Sequence, residues 1–196
     1  MQIDVYDFDK TVVPYDSAMK YWHWCLFHRP YIIIILPFQI FWSLLALTKI
    51  ISVPTYKKGC FRFVSLLNTK KTVKKFWDKH EKDVYPFFRP ENRVRTRKCA
   101  IVSASPDFLI CEIARRLAVD YCIATHHDDK NGKLVGEVCR LEQKAVRFRE
   151  LLPDAEVENV YSDSLESDKP LFTLGKHCYL ANKGELYDIN KSIDQI

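Results

Sequence analysis

The run Ile3-Asp4-Val5-Tyr6 constrains the fold more than any other stretch, because it is largely apolar and stops at two acids, Asp7 and Asp9. A short run rich in β-branched and aromatic residues reads as a strand. Side chains at i and i+2 share one side of an extended backbone, so Asp7 and Asp9 are expected to converge on one point. Convergent carboxylates repel unless a cation lies between them or one keeps its proton. Taken alone, Asp-x-Asp-x-Thr also fits a strand end capped by solvated acids.

The second half of the chain repeats the pattern of an apolar run followed by polar residues. Cys99 to Val102 reads as a buried strand that runs into Ser103-Ala104-Ser105-Pro106. Ser105 as cap and Pro106 as first helical residue predict a helix to about Ala118. Tyr121 to Ala124 is a further strand, His126 to Asp129 a polar loop, and Asn131-Gly132 a hairpin turn. A helix over about Leu141–Leu152 carries Lys144 in its first turn. Val157 to Tyr161 is a strand that ends at Ser162-Asp163-Ser164, with Asp168 close behind. His177 to Ala181 is read as the last strand and Gly184 as a turn. Alternating strands and helices predict an α/β layer fold. A chain of 196 residues, 47% apolar, has room for one domain, or a core domain with an insertion.

The intervening stretch has a different character. Asp16-Ser17 can cap a helix from about Ala18 to His28. Tyr31 to Leu47 then contains no charged residue, and its length approaches the roughly 20 residues needed to cross a bilayer. A single crossing would separate the polar sites before and after it, and Pro37 can bend it, so it is expected either in a helical cap or lying in a membrane interface. A helix from Thr69, with Thr69 as cap, would put Val73, Phe76, Trp77, His80 and Val84 on one face and Lys70, Lys71, Lys74, Lys75 and Lys79 on the other. Between Lys57 and Lys98 basic residues far outnumber acids, within a net charge of +5. This favours anionic partners, while no nucleic-acid motif accompanies the charge. The seven cysteines, Cys60 among them, include no Cys-x-x-Cys pair and suggest reduced thiols inside a cell.

Asp7 and Asp9, Ser103, Lys144, and Asp163 with Asp168 thus stand at strand exits or a helix start. In an open parallel sheet that is where ligands bind. Serine and lysine suit phosphoryl oxygens, and the carboxylates suit a hard divalent cation. No Walker-type loop is present. In this order the residues resemble the four motifs of the haloacid dehalogenase-like (HAD) phosphatases. Within them the chain is most similar to the phosphoserine-phosphatase-like branch (subfamily IB), and there to the phosphatidylglycerophosphatase C type. That last similarity rests on the apolar Pro-containing stretch, Tyr161-Ser162-Asp163-Ser164, Pro170-Leu171 and Gly184-Glu185-Leu186. Asp168 departs from the pattern, five positions after Asp163 where four is common.

The resemblance implies a Rossmann-like core with a parallel sheet over 1–16 and 97–196, and an inserted helical cap of the C1 type over 17–96. It implies Asp7 as nucleophile, Asp9 as general acid and base, and Mg²⁺ held by Asp7, the backbone carbonyl of Asp9 and Asp163. Ser103 and Lys144 would bind phosphate, and Asp168, Thr11 and Ser164 would support the site. The lack of any acid from Ser17 to Leu67 disfavours an amino-acid substrate and favours a lipid phosphate such as phosphatidylglycerophosphate, with residues 31–48 touching an anionic membrane. A small soluble phosphomonoester, with the apolar stretch only packing the cap, is the alternative, and a non-catalytic binding module the remote one. No signal peptide is read at the start, which predicts a cytoplasmic enzyme, peripheral on the cytoplasmic membrane face.

Overall fold

The computed structural model describes residues 1–48, 61–94 and 96–190, without the side chains of Trp42 and Ala46. Lys57 and Cys60, named above, lie outside the described residues, as does the chain beyond 190.

Six strands form one sheet: β1 (Gln2–Tyr6), β2 (Lys98–Pro106), β3 (Tyr121–Thr125), β4 (Glu156–Ser162), β5 (Gly175–Asn182) and β6 (Glu185–Asp188). Their order is β3-β2-β1-β4-β5-β6. The first five are parallel, and β6 returns antiparallel along β5. The α/β expectation holds, with β6 added after the Gly184 turn. Gly184 has φ 87°, a conformation that only glycine adopts without strain. The strand order reverses direction at β1, flanked by β2 and β4. The crevice of such a sheet therefore opens at the carboxyl end of β1, where Asp7 stands.

Alternation along β1 sends Ile3 and Val5 to one face and Tyr6 to the other. The first face is covered by α5 (Glu142–Leu151) and α6 (Leu165–Phe172). Phe148, Leu171 and Phe172 pack there on Val102, Val157 and Val160. The second face is covered by α4 (Asp107–Arg116) together with the inserted helices α1 (Ser17–His28) and α3 (Thr69–His80). Tyr21, Phe63, Phe76 and Trp77 of the insertion belong to the same core cluster as Tyr6, Phe8, Ile101 and Leu109. Trp77 is fully buried, its ring edge-on to Phe8 at 5.9 Å, and its Nε1–H donates to the Leu109 carbonyl at 2.9 Å.

Asp16 caps α1 as expected, accepting from the Met19 N–H at 2.8 Å. For α3 the cap is Asn68, which accepts from Lys71 N–H, whereas the Thr69 hydroxyl donates to the Asp129 carbonyl at 2.7 Å. Thr69 thus ties the insertion to the loop after β3. Val73, Phe76 and Trp77 of α3 are buried, His80 is half-buried and Lys70, Lys71, Lys74, Lys75 and Lys79 are exposed, as the spacing predicts. The helix stops at His80, however, and Val84 is buried beyond it, after a 3₁₀ turn.

The uncharged stretch forms a 3₁₀ turn (Pro30–Ile35) and α2 (Leu36–Leu47). Pro37 lies in the first turn of α2, where a missing N–H costs nothing, so the bend falls ahead of it. No described helix is long and apolar enough to cross a membrane. Ser17–His28 and Pro30–Leu45 have that length and composition only as a pair, bent by 116°.

Candidate active site

Backbone geometry separates the two acids that open the chain. The strand ends at Tyr6, the N–H of Asp7 still pairs with the Tyr161 carbonyl at 2.8 Å, and the chain then turns, with Val12 N–H donating to Phe8 O at 2.8 Å. Lys10 completes the turn at φ 60°, a strained value for a residue with a side chain. As a result the two carboxylates take different partners, although the charge of Asp9 still acts on Asp7. Asp7 points to β4 and α5, and Asp9 points to α1 and the end of β2.

Asp7 is 6% exposed, Lys144 4% and Asp168 2%. The Lys144 ammonium lies 2.6 Å from Asp7 Oδ1 and 2.7 Å from Asp168 Oδ1. The Thr11 hydroxyl donates to Asp7 Oδ2 at 3.1 Å, and Ser162 donates to Asp168 Oδ2. Lys144 reaches this point because α5 starts abruptly at Leu141, whose φ of 53° and ψ of −129° turn the first helical turn inward. Asp163 is half-buried, and oxygens of Asp7, Asp163 and Asp168 lie within 4.8 Å of one another.

Three carboxylates therefore crowd one ammonium. Burial pushes the Asp7 carboxyl up to about 7, against the pull of Lys144, and the nearby Asp168 adds to the rise. Asp163 is also raised, by burial first and then by Asp168. Burial alone would lower Lys144, but the two carboxylates outweigh it and hold the ammonium charged. A hard divalent cation fits this set: its ligands would be oxygens, and it would offset the excess negative charge.

The Asp9 carboxylate is held from two sides. It accepts from the Ser17 N–H at 2.8 Å through Oδ1, and from the Ser105 hydroxyl through Oδ2. Its side chain is not part of the acid cluster, so any part in holding a metal falls to its backbone carbonyl. Burial, then the charge of Asp16, raises its pKa, while the two donors lower it. Ser105 is therefore not a helix cap. β2 stays extended through Pro106, the helix starts at Asp107, and the hydroxyl turns to Asp9. Ser103 is fully buried and its Oγ accepts from Ser105 N–H at 3.1 Å. β2 shifts register against β3 between Val102 and Pro106, which frees this segment to curl over the carboxyl end of β1. Ser164 caps α6, accepting from Ser167 N–H at 3.2 Å.

Asp9 also lies at the edge of a cavity of about 450 Å³ walled by Met19, Trp22, Ile40, Phe63, Pro106 and His127. Its walls come from α1, α2 and the loop after β3, and are largely apolar. The Trp22 indole donates to Gln39 at 3.1 Å, joining α1 to α2 along it. His127, expected in a polar loop, is 4% exposed, since its N–H binds Asp107 and its ring stacks edge-on against Phe61 at 5.0 Å. Sequence reasoning did not single out Ser17, Ser105 or Ser162 for these roles. Ser-x-Ser at a strand exit was the one available signal, because hydroxyls at i and i+2 share a side.

Residues 5–173 match the family model of the haloacid dehalogenase-like hydrolases. A stretch of 78 residues is 37% identical to the protein CicA of Caulobacter vibrioides, covering 37% of this chain and 35% of that protein. The chain thus matches about a third of that relative's length. Among solved structures it is similar to a protein of unknown function from Bordetella pertussis, at a TM-score of 0.70 and 19% identity over 90% of this chain and 88% of that one. A phosphoserine phosphohydrolase-like protein from Francisella tularensis superposes at 0.59 and 17% identity, over 94% and 90%. These likenesses carry the fold. The family match spans both the sheet and the insertion, and on it the chain belongs to the haloacid dehalogenase-like hydrolases.

Proposed function

We propose that the protein hydrolyses phosphate monoesters through an aspartyl-phosphate on Asp7. The observation that carries this reading is the buried trio of Asp7, Lys144 and Asp168 at the carboxyl end of β1, with Asp163 beside it. Asp7 attacks phosphorus in line, the bond to the leaving oxygen breaks, and the phosphoryl group is left on the carboxylate. Asp9 gives the leaving oxygen a proton, then takes one from the water that cleaves the acyl phosphate. Ser103 and Lys144 bind equatorial phosphoryl oxygens. Asp168 holds Lys144, and Thr11 fixes the second Asp7 oxygen. Asp7, the Asp9 carbonyl and Asp163 would hold Mg²⁺, which supplies charge compensation at the phosphoryl group. Phosphate release that stops when Asp7 is changed to Asn tests the assignment.

For the substrate, the apolar cavity beside Asp9 favours an amphiphile over a polar amino acid. Its wall helix α2 and the 3₁₀ turn before it carry exposed apolar side chains, with Ile34 of the turn at 76% and Leu47 of α2 at 78%. An uncharged face of this kind on a surface helix suits contact with lipid. A lipid phosphate, with phosphatidylglycerophosphate as the specific candidate, is the reading we favour, with residues 31–48 lying against an anionic membrane from the cytoplasmic side. Turnover of that lipid in mixed micelles, with phosphoserine alongside, distinguishes the two classes. Equal rates on both would sink the lipid reading and leave the chemistry standing.

A further inference from the structure

The Asp9 carboxylate is clamped by two segments that lie far apart in the chain. One donor is the N–H of Ser17, the first residue of α1 and the start of the insertion. The first N–H groups of a helix have no partner within it, and Asp16, the cap, spends its side chain on Met19. The Ser17 N–H is thus available, and it is spent on Asp9. The other donor is the Ser105 hydroxyl at the end of β2, in the core. Ser17 and Ser105 are 0% and 5% exposed, and their own hydroxyls lie 3.4 Å apart, so the clamp is closed on itself and shielded from water.

We propose that the Ser17 N–H and the Ser105 hydroxyl are positioning elements that aim the Asp9 carboxyl at the leaving oxygen. This rests on the phosphatase reading above. A group that protonates a leaving atom must be within hydrogen-bond reach of it, about 2.6–3.2 Å. A carboxyl on a single strained turn has two free side-chain torsions, and the clamp removes both while leaving Asp9 at the cavity edge. In the step it serves, Asp7 forms its bond to phosphorus and the bonding pair of the breaking P–O bond stays on the leaving oxygen. That oxygen takes the Asp9 proton. Because one donor belongs to α1, the insertion takes part in setting the aim of the acid as well as enclosing the substrate.

The test compares two esters by kcat/KM, which reports steps only up to departure of the leaving group. Glycerol phosphate has an alkoxide leaving group that needs the proton, and nitrophenyl phosphate has a phenolate that leaves without it. Ser105→Ala removes one donor. Ser17→Pro removes the other, and it suits the site: proline is favoured at the first helical position, and Asp16 before it is already extended at φ −73° and ψ 111°. Each variant is expected to lower kcat/KM on the alkyl ester by about 10- to 100-fold, part of the 10²–10⁴ that general acids contribute, and to spare the aryl ester. Ser17→Ala, which keeps the N–H, and Ser105→Thr, which keeps the hydroxyl, are expected to hold the alkyl rate near that of the unmodified protein. Equal losses on both esters, or no loss on the alkyl ester, would overturn the proposal. If one variant fails to fold, the other carries the same comparison. Unmodified protein that cleaves neither ester would instead remove the phosphatase reading, and this assignment with it.

Discussion

The floor and the roof of the site are built on opposite principles. The floor is Asp7, Lys144, Asp168, Thr11 and Ser162, nearly inaccessible to water and joined by ion pairs and hydrogen bonds. The roof is α1, the 3₁₀ turn and α2, whose outer face presents Phe27, Ile34, Phe41, Leu44 and Leu47, each more than half exposed. In the floor every polar atom is placed by another. On the roof, apolar surface faces outward with no core against it. In the phosphatase proposed above, the floor would handle the group common to all phosphate esters, and the outer apolar surface of the roof what distinguishes one ester from another.

The largest effect expected from breaking the floor is Asp7→Asn, which should lower phosphate release by on the order of 10³-fold or more on every ester, as loss of a nucleophile does. A roof that also carried chemistry would leave some esters turning over.

Lys144→Met comes next. It strands two buried carboxylates without their cation, and breaking such a pair costs about 3–5 kcal/mol, read as a lower urea midpoint. Adding Asp168→Asn to the same chain should recover part of that loss. Without recovery, the crowding of like charge is not what Lys144 relieves.

Chelation should abolish turnover in the unmodified protein, and added Mg²⁺ should restore it, because the carboxylates outnumber their one ammonium. Turnover unaffected by a chelator would argue that the acid cluster works without metal.

Smaller effects belong to the roof. Ile34→Ser with Phe41→Ser should cut flotation with anionic vesicles and kcat/KM on the lipid ester by roughly 10-fold or more, since burying each side chain is worth about 1.5–3 kcal/mol. Aryl phosphate turnover and the unfolding midpoint should hardly move, because both side chains already face outward. In α3 the opposite holds: Phe76, fully buried in the same insertion, should cost about 3–5 kcal/mol when cut to Ala.

Legibility in the sequence follows the same division. β1, β2 and β4 were readable because a strand buried on both faces is an apolar run with a sharp polar end. Lys144 was readable as a lone basic residue at the start of a helix beside such ends. What resisted reading was set by partners distant in the chain. Ser105 has every local mark of a helix cap, yet its hydroxyl is claimed by Asp9, 96 positions away. Asp7 and Asp9 share a side only if the strand continues, and the turn at Lys10 depends on Val12 and Val13 being pulled into the core. Thr69 and Asn68 are both good caps, and the choice fell to Asn68 because Asp129 engages Thr69. The fifth-position spacing of Asp168 is absorbed by a non-helical residue in α6, Asp168 itself, at φ −116° and ψ 17°. α2 was readable as apolar, but composition alone does not say which side of an apolar helix is covered.

The central claim is that Asp7 carries the phosphoryl group, and trapping that group tests it most directly. The protein is mixed with a phosphate ester and Mg²⁺, quenched in acid and reduced with tritiated borohydride, which converts an aspartyl phosphate to labelled homoserine as inorganic phosphate leaves. Labelled homoserine is expected at position 7, and is absent when the ester is withheld. Full turnover with Asp7 unmodified, or with the label on another residue, would contradict the claim.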